Sequence, residues 1–195
     1  VERSRGLGDV YKRQTIDSLL NITGFDKVSL LSDGTIMKAH KNTYLDFNAI
    51  AKGYAVDALA SMLQSLGYTQ FLVEVGGELF ASGLHPEREK PWRVAIDHPK
   101  QDANRTFIAT LPLQNQGLAS SGNYRKFRTD ASGKRYVHTV NPKTGETVQS
   151  NVLSTSVLAP STMLADAYAT ALMAMPYEHC LLYTSPSPRD LSTSR

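Results

Sequence analysis

Short apolar runs broken by turn-forming residues occupy most of the chain. Val28–Leu31 and Thr35–Ala39 flank Asp33-Gly34, a pair suited to a hairpin turn. Tyr44–Phe47 reads as a short strand. From Ile50 to Leu66 the period changes: Ile50, Tyr54, Leu59, Leu63 and Leu66 recur every three to five residues, which predicts a helix. Gly67 stands where a helix C-terminal cap belongs. Phe71–Val75 is a buried strand ending in Gly76-Gly77, and Leu79–Ser82, Trp92–Ile96, Phe107–Leu111 and Gly117–Ser120 are further strands. Tyr124–Arg128 and Arg135–Val140 pair across a loop holding Asp130 to Gly133, and Asn141–Gly145 is a turn by composition. Leu153–Leu158 is the last strand. Ser161 then opens a helix running to about Met175, with Ser161 or Thr162 as its N-cap.

Two helices bracketing many strands joined by short turns favour an α+β fold over alternating βαβ units, with a mixed or antiparallel sheet. No internal repeat or low-complexity linker divides the patterned region, which predicts one domain over residues 15–179. The ends differ in kind. Residues 1–14 have no periodicity, and residues 180–195 are rich in Ser and Pro with no apolar face. Both read as non-native tails, leaving a domain truncated at both ends.

Composition changes this picture little. Hydrophobic residues make up 41% and charged residues 20% of the 195, an ordinary globular balance. No apolar run approaches the roughly 18 residues of a membrane span. The single cysteine, Cys180, excludes a disulfide framework and a multi-cysteine metal site. The formal charge of +3 comes from the ends: residues 1–14 carry a net +2 and residues 180–195 a net +1, so the patterned region is neutral. Nothing in the charge therefore points to nucleic acid.

Four features carry candidate chemistry. In Leu45–Asp57 a strand runs into a helix start with small residues and Lys52 at the junction, where unpaired backbone N–H groups and a cation suit a phosphate. Gly76-Gly77 allows close backbone approach or positive φ. His138 shares a strand face with Tyr136 and Val140, beside the turn at Asn141. Asp166 and Thr170 lie at i and i+4 on one helix face among alanines, a carboxylate and a hydroxyl suited to magnesium. Taken singly, each also reads as ordinary structure: a solvated lysine, a plain turn, a satisfied strand histidine and a polar stripe.

Their order and spacing are more specific. LDFNAIAKGYAVDALA, FLVEVGGELFASG, PWRVAIDHP, LASSGNYRKF, GKRYVHTVNPKTGE and STSVLAPSTMLADAYATALM, spread over about Thr43–Met175, resemble the successive motifs of the ApbE family of bacterial FAD:protein FMN transferases. The resemblance implies FAD contacts at Asp46, Lys52 and Val140, beside the Gly76-Gly77 turn. It implies magnesium held by the Asp166 and Thr170 side chains and the Ala49 carbonyl, with the Ala169 carbonyl nearby. It also implies His138 as general base, so that His138 and Asp166 form the catalytic pair.

The implied reaction moves FMN from FAD to a Thr or Ser hydroxyl of an acceptor protein and releases AMP. With water in place of that hydroxyl, the same site is an FAD diphosphatase; without turnover it is a flavin-binding module. The resemblance further implies acceptors among subunits of redox-driven ion pumps and related flavoproteins. It implies a periplasmic or inner-membrane-anchored location, with membrane association only through a lipoprotein N-terminus lying outside this sequence. An upstream segment that packs on the isoalloxazine ring is expected to be missing. Asn141 stands where aspartate is commoner in the family.

Overall fold

A computed structural model describes residues 13–99, 105–122, 127–129, 135–137, 140–145, 152–175 and 177. Its helices are α1 (Arg13–Leu20), α2 (Ala51–Ser65) and α3 (Thr162–Met173). Its strands are β1 (Val28–Leu30), β2 (Ile36–Lys38), β3 (Phe71–Val75), β4 (Glu78–Ser82), β5 (Trp92–Asp97), β6 (Phe107–Leu113), β7 (Gln116–Gly122), β8 (Phe127–Thr129), β9 (Arg135–Val137) and β10 (Ser154–Ala159).

The centre is a four-stranded sheet in the order β10-β7-β4-β3. Every described strand pair is antiparallel, so the α+β expectation holds and the sheet is antiparallel rather than mixed. Strand alternation gives the sheet two buried faces. Leu79, Ala81 and Leu118 pack against Val94 and Leu113 of the β5–β6 hairpin. On the opposite face, Ala119 and Ala159 pack against Ala165 of α3.

Helix α3 comes unusually close to the sheet and to α2, and two glycines allow it. A Cβ on Gly117 would lie 2.6 Å from the Thr162 backbone, and one on Gly53 would lie 2.5 Å from the Thr162 carbonyl oxygen. Alanines supply most of the helix's propensity. Its first turn is capped twice. Ser161 Oγ accepts from Leu164 N at 3.3 Å, and the Asp57 carboxylate on α2 accepts from Thr162 N at 2.8 Å and Met163 N at 2.9 Å.

One local expectation is corrected and one helix is added. Tyr44–Phe47 is not a strand. Asp46 Oδ1 accepts from Asn48 N at 2.7 Å, and this side-chain turn draws the backbone out of ladder geometry. Helix α1, which carries Ile16 and Leu20 against Gly145 of the Asn141–Gly145 turn, had no reading in the sequence: it is only eight residues long and begins inside the segment read as a tail. Gly67 fulfils its expected role, with φ of 88° immediately after α2.

Candidate functional site

One open cleft of about 1480 Å³ runs between the start of α2, the β3–β4 turn, the β5–β6 hairpin and the exposed end of the β7–β10 pair. Its walls bring together Ala49, Lys52, Gly76, Gly77, Asp166 and Thr170, which are far apart in sequence.

Gly76 and Gly77 form the two-residue connection between β3 and β4, with φ of 62° and 103°. Two successive positive φ values are what a tight hairpin of this hand demands. The plain-turn reading and the ligand-approach reading of this pair therefore coincide: it is a turn, and it faces the cleft.

Asp166 sits on α3 at 3% exposure, and its Oδ2 accepts from the Gly53 backbone N–H at 3.0 Å. That bond ties the first turn of α2 to the middle of α3. One helical turn on, Thr170 Oγ1 lies 3.2 Å from Ser121 Oγ. The neighbouring strand adds a second hydroxyl pair, Ser120 Oγ and Ser156 Oγ at 2.8 Å.

Glu78 is the residue that sequence reasoning missed. It opens β4 directly after the glycine turn and has a side chain 1% exposed. Its Oε1 is paired with Lys52 Nζ, and its Oε2 is buried without a hydrogen-bond partner. Burial pushes its carboxyl above the ordinary range; Lys52 pulls it back and the Asp166 charge raises it further. The only signal available in sequence was a charged residue beginning an otherwise apolar strand.

The remaining candidates fall elsewhere. Asp46 is on the segment leading to α2, its two carboxylate oxygens engaged by Asn48, and the cleft wall begins at Asn48 and Ala49. Val140 is half-exposed ahead of the Asn141 turn, outside the cleft lining. Ala169 is fully buried and its carbonyl accepts from Thr155 Oγ1 at 2.8 Å, turned toward the sheet. His138 lies outside the described residues.

The donors present fit a hard divalent cation. A carboxylate and a hydroxyl one helical turn apart face the cleft, and magnesium typically takes one or two carboxylates and completes its shell with water and phosphate. No cluster of three or more His, Cys, Asp or Glu side chains able to hold a metal occurs among the described residues.

An antiparallel α+β fold with an oxygen-donor cleft beside a helix-start lysine defines a domain suited to a cation and a phosphate-bearing ligand. The chain belongs to the ApbE family, whose model matches residues 3–191. It is 40% identical over 155 residues to the FAD:protein FMN transferase of Haemophilus influenzae, an alignment covering 78% of this chain and 44% of that protein. The flavin transferase ApbE of Vibrio cholerae has the same fold, with a TM-score of 0.76 and 33% identity over 90% of this chain and 54% of that one. The Pseudomonas stutzeri flavinyl transferase ApbE in its apo form also gives a TM-score of 0.76, with 34% identity over 89% of this chain and 52% of that one. The chain thus spans about half the length of the relatives it matches.

Proposed function

We propose that this cleft belongs to an FAD:protein FMN transferase that requires magnesium, modifies a Thr or Ser hydroxyl and releases AMP. The observation that carries the reading is the meeting of Asp166 and Thr170 with Lys52 in one cleft, in a chain whose relatives bear that activity in their names. The cleft exceeds the roughly 300–1,000 Å³ of ordinary small-molecule pockets, in keeping with a dinucleotide.

Asp166, Thr170 and the Ala49 carbonyl would hold magnesium. Bound there, magnesium would supply a Lewis acid that neutralises pyrophosphate charge and steadies the leaving phosphate. Gly53 keeps the Asp166 carboxylate oriented through its N–H. Lys52, next to Gly53 in the first turn of α2, adds a cation to the cleft lining. The acceptor hydroxyl oxygen attacks the FMN phosphorus, the bond from that phosphorus to the oxygen of AMP breaks, and His138 receives the hydroxyl proton. General-base help of this kind is worth about 10²–10⁴-fold. The acceptors belong to the flavoprotein class named above, and a periplasmic location is part of the same proposal.

The test is incubation of the protein with FAD, magnesium and an acceptor domain, followed by denaturation and a search for flavin fluorescence that stays with the acceptor. Fluorescence lost from the acceptor on denaturation, with AMP still released, would replace transfer by FAD hydrolysis.

A further inference from the structure

Packing does not explain a glutamate at the start of β4. Burying a carboxylate is unfavourable, and an apolar residue of similar volume usually serves a core position at least as well. Glu78 is nonetheless buried with only one oxygen paired, and the partner is Lys52. Lys52 is the opposite case: its side chain is 48% exposed and lines the cleft. The stem of the lysine runs over the glycine turn, since a Cβ on Gly76 would sit 3.5 Å from Lys52 Cδ and 3.9 Å from Glu78 Oε2. Turn, carboxylate and lysine stem are one packed unit.

An ammonium has three donors on a flexible stem. Spending one donor on a fixed, buried carboxylate sets where the group stands and leaves the others for an anion. We propose that Glu78 is a positioning residue, holding the Lys52 ammonium at the cleft wall so that its remaining donors meet the phosphates of FAD. This rests on the reading of the cleft as an FAD site.

FAD affinity, read by flavin fluorescence titration in magnesium buffer, tests it on the wild type, Glu78→Gln, Lys52→Met and the double variant. Each single change is expected to weaken FAD about tenfold, the scale of one charge-assisted hydrogen bond. If Glu78 acts through Lys52, the double variant binds no more weakly than Lys52→Met alone. Glu78→Asp, which keeps the charge but shortens the reach, falls between wild type and Glu78→Gln.

Thermal unfolding supplies a second readout. Lys52→Met leaves a buried charge uncompensated and melts lower, and adding Glu78→Gln restores the melting temperature. Should Glu78→Gln fail to fold, Glu78→Asp is read in the same two backgrounds. The proposal is overturned if Glu78→Gln binds FAD as well as or more tightly than wild type, which would mean that its charge merely repels the phosphates. It is also overturned if the two losses multiply in the double variant, or if the wild type binds no FAD. Binding that follows the expected pattern without covalent flavin on the acceptor would refute transfer and leave the positioning role standing.

Discussion

The Asp57 carboxylate receives the Thr162 backbone N–H at 2.8 Å, so a side chain on α2 caps the helix that carries Asp166 and Thr170. The partners are 105 residues apart in sequence, and Met163 N joins the same carboxylate. A negative group here satisfies two orphan donors and opposes the positive end of the helix dipole. Asp57→Ala is expected to cost about 2 kcal/mol, the upper range for loss of a cap. Asp57→Asn should cost less, because an amide oxygen still accepts. Urea unfolding of both variants measures the difference, and equal stability of Asp57→Ala and wild type would remove this role.

Close approach of α2 to α3 makes Gly53 intolerant of any side chain. A Cβ there would meet the Thr162 carbonyl oxygen at 2.5 Å and Met163 Cα at 2.6 Å, which are backbone atoms that cannot swing aside. Gly53→Ala is expected to destabilise by about 1–3 kcal/mol, the usual cost of overpacking. It should also disturb the N–H bond to Asp166. Chemical denaturation and magnesium affinity, measured on the same variant, should fall together.

Substitutions at the two proposed cation ligands should separate charge from shape. Asp166→Asn keeps the Gly53 contact but loses the charge, and is expected to reduce flavin transfer by about 100-fold or more, as for removal of a group that supports a metal. Thr170→Ser preserves the hydroxyl and should stay near wild type, while Thr170→Val removes it and should raise the magnesium concentration needed for half-maximal transfer. Initial rates across a magnesium titration distinguish these outcomes. Equal behaviour of Thr170→Ser and Thr170→Val would remove the hydroxyl from the cation site.

Glu78 gives the site a pH signature. Burial is the main cause of its raised carboxyl pKa, with Asp166 adding to it and Lys52 opposing. The folded state therefore keeps the proton to higher pH than the unfolded chain, whose value lies near 4.5. The stabilising share of Glu78 is complete below that value and is lost as pH rises through the folded one. Relative to wild type, Glu78→Gln should gain stability as pH is raised from about 4 to about 7. Denaturant midpoints across that range show it, and a flat or falling difference would contradict the assignment.

Much of this was legible in the sequence, for identifiable reasons. The Ile50–Leu66 period, Gly67 and the Ser161 cap are local signals, and the structure places helices and caps accordingly. The i, i+4 relation of Asp166 to Thr170 is likewise local, and both reach the cleft. What could not be read depends on contacts between distant segments. In the sequence Asp57 is one polar residue within the expected helix, and Glu78 falls between the Gly76-Gly77 turn and the strand expected from Leu79. Each acquires its role only when α2 is laid against α3 and β4. The expected strand at Tyr44–Phe47 failed because the Asp46–Asn48 contact outcompetes a ladder that has no neighbouring strand among the described residues to complete it.

On the function proposed above, this cleft uses magnesium to move FMN onto a protein hydroxyl. The most direct measurement follows AMP release and covalent flavin on the acceptor together, with magnesium and with EDTA. Equal amounts of AMP and covalent flavin are expected in magnesium, and neither in EDTA. Covalent flavin that forms undiminished in EDTA, or AMP release with no flavin on the acceptor, would contradict it.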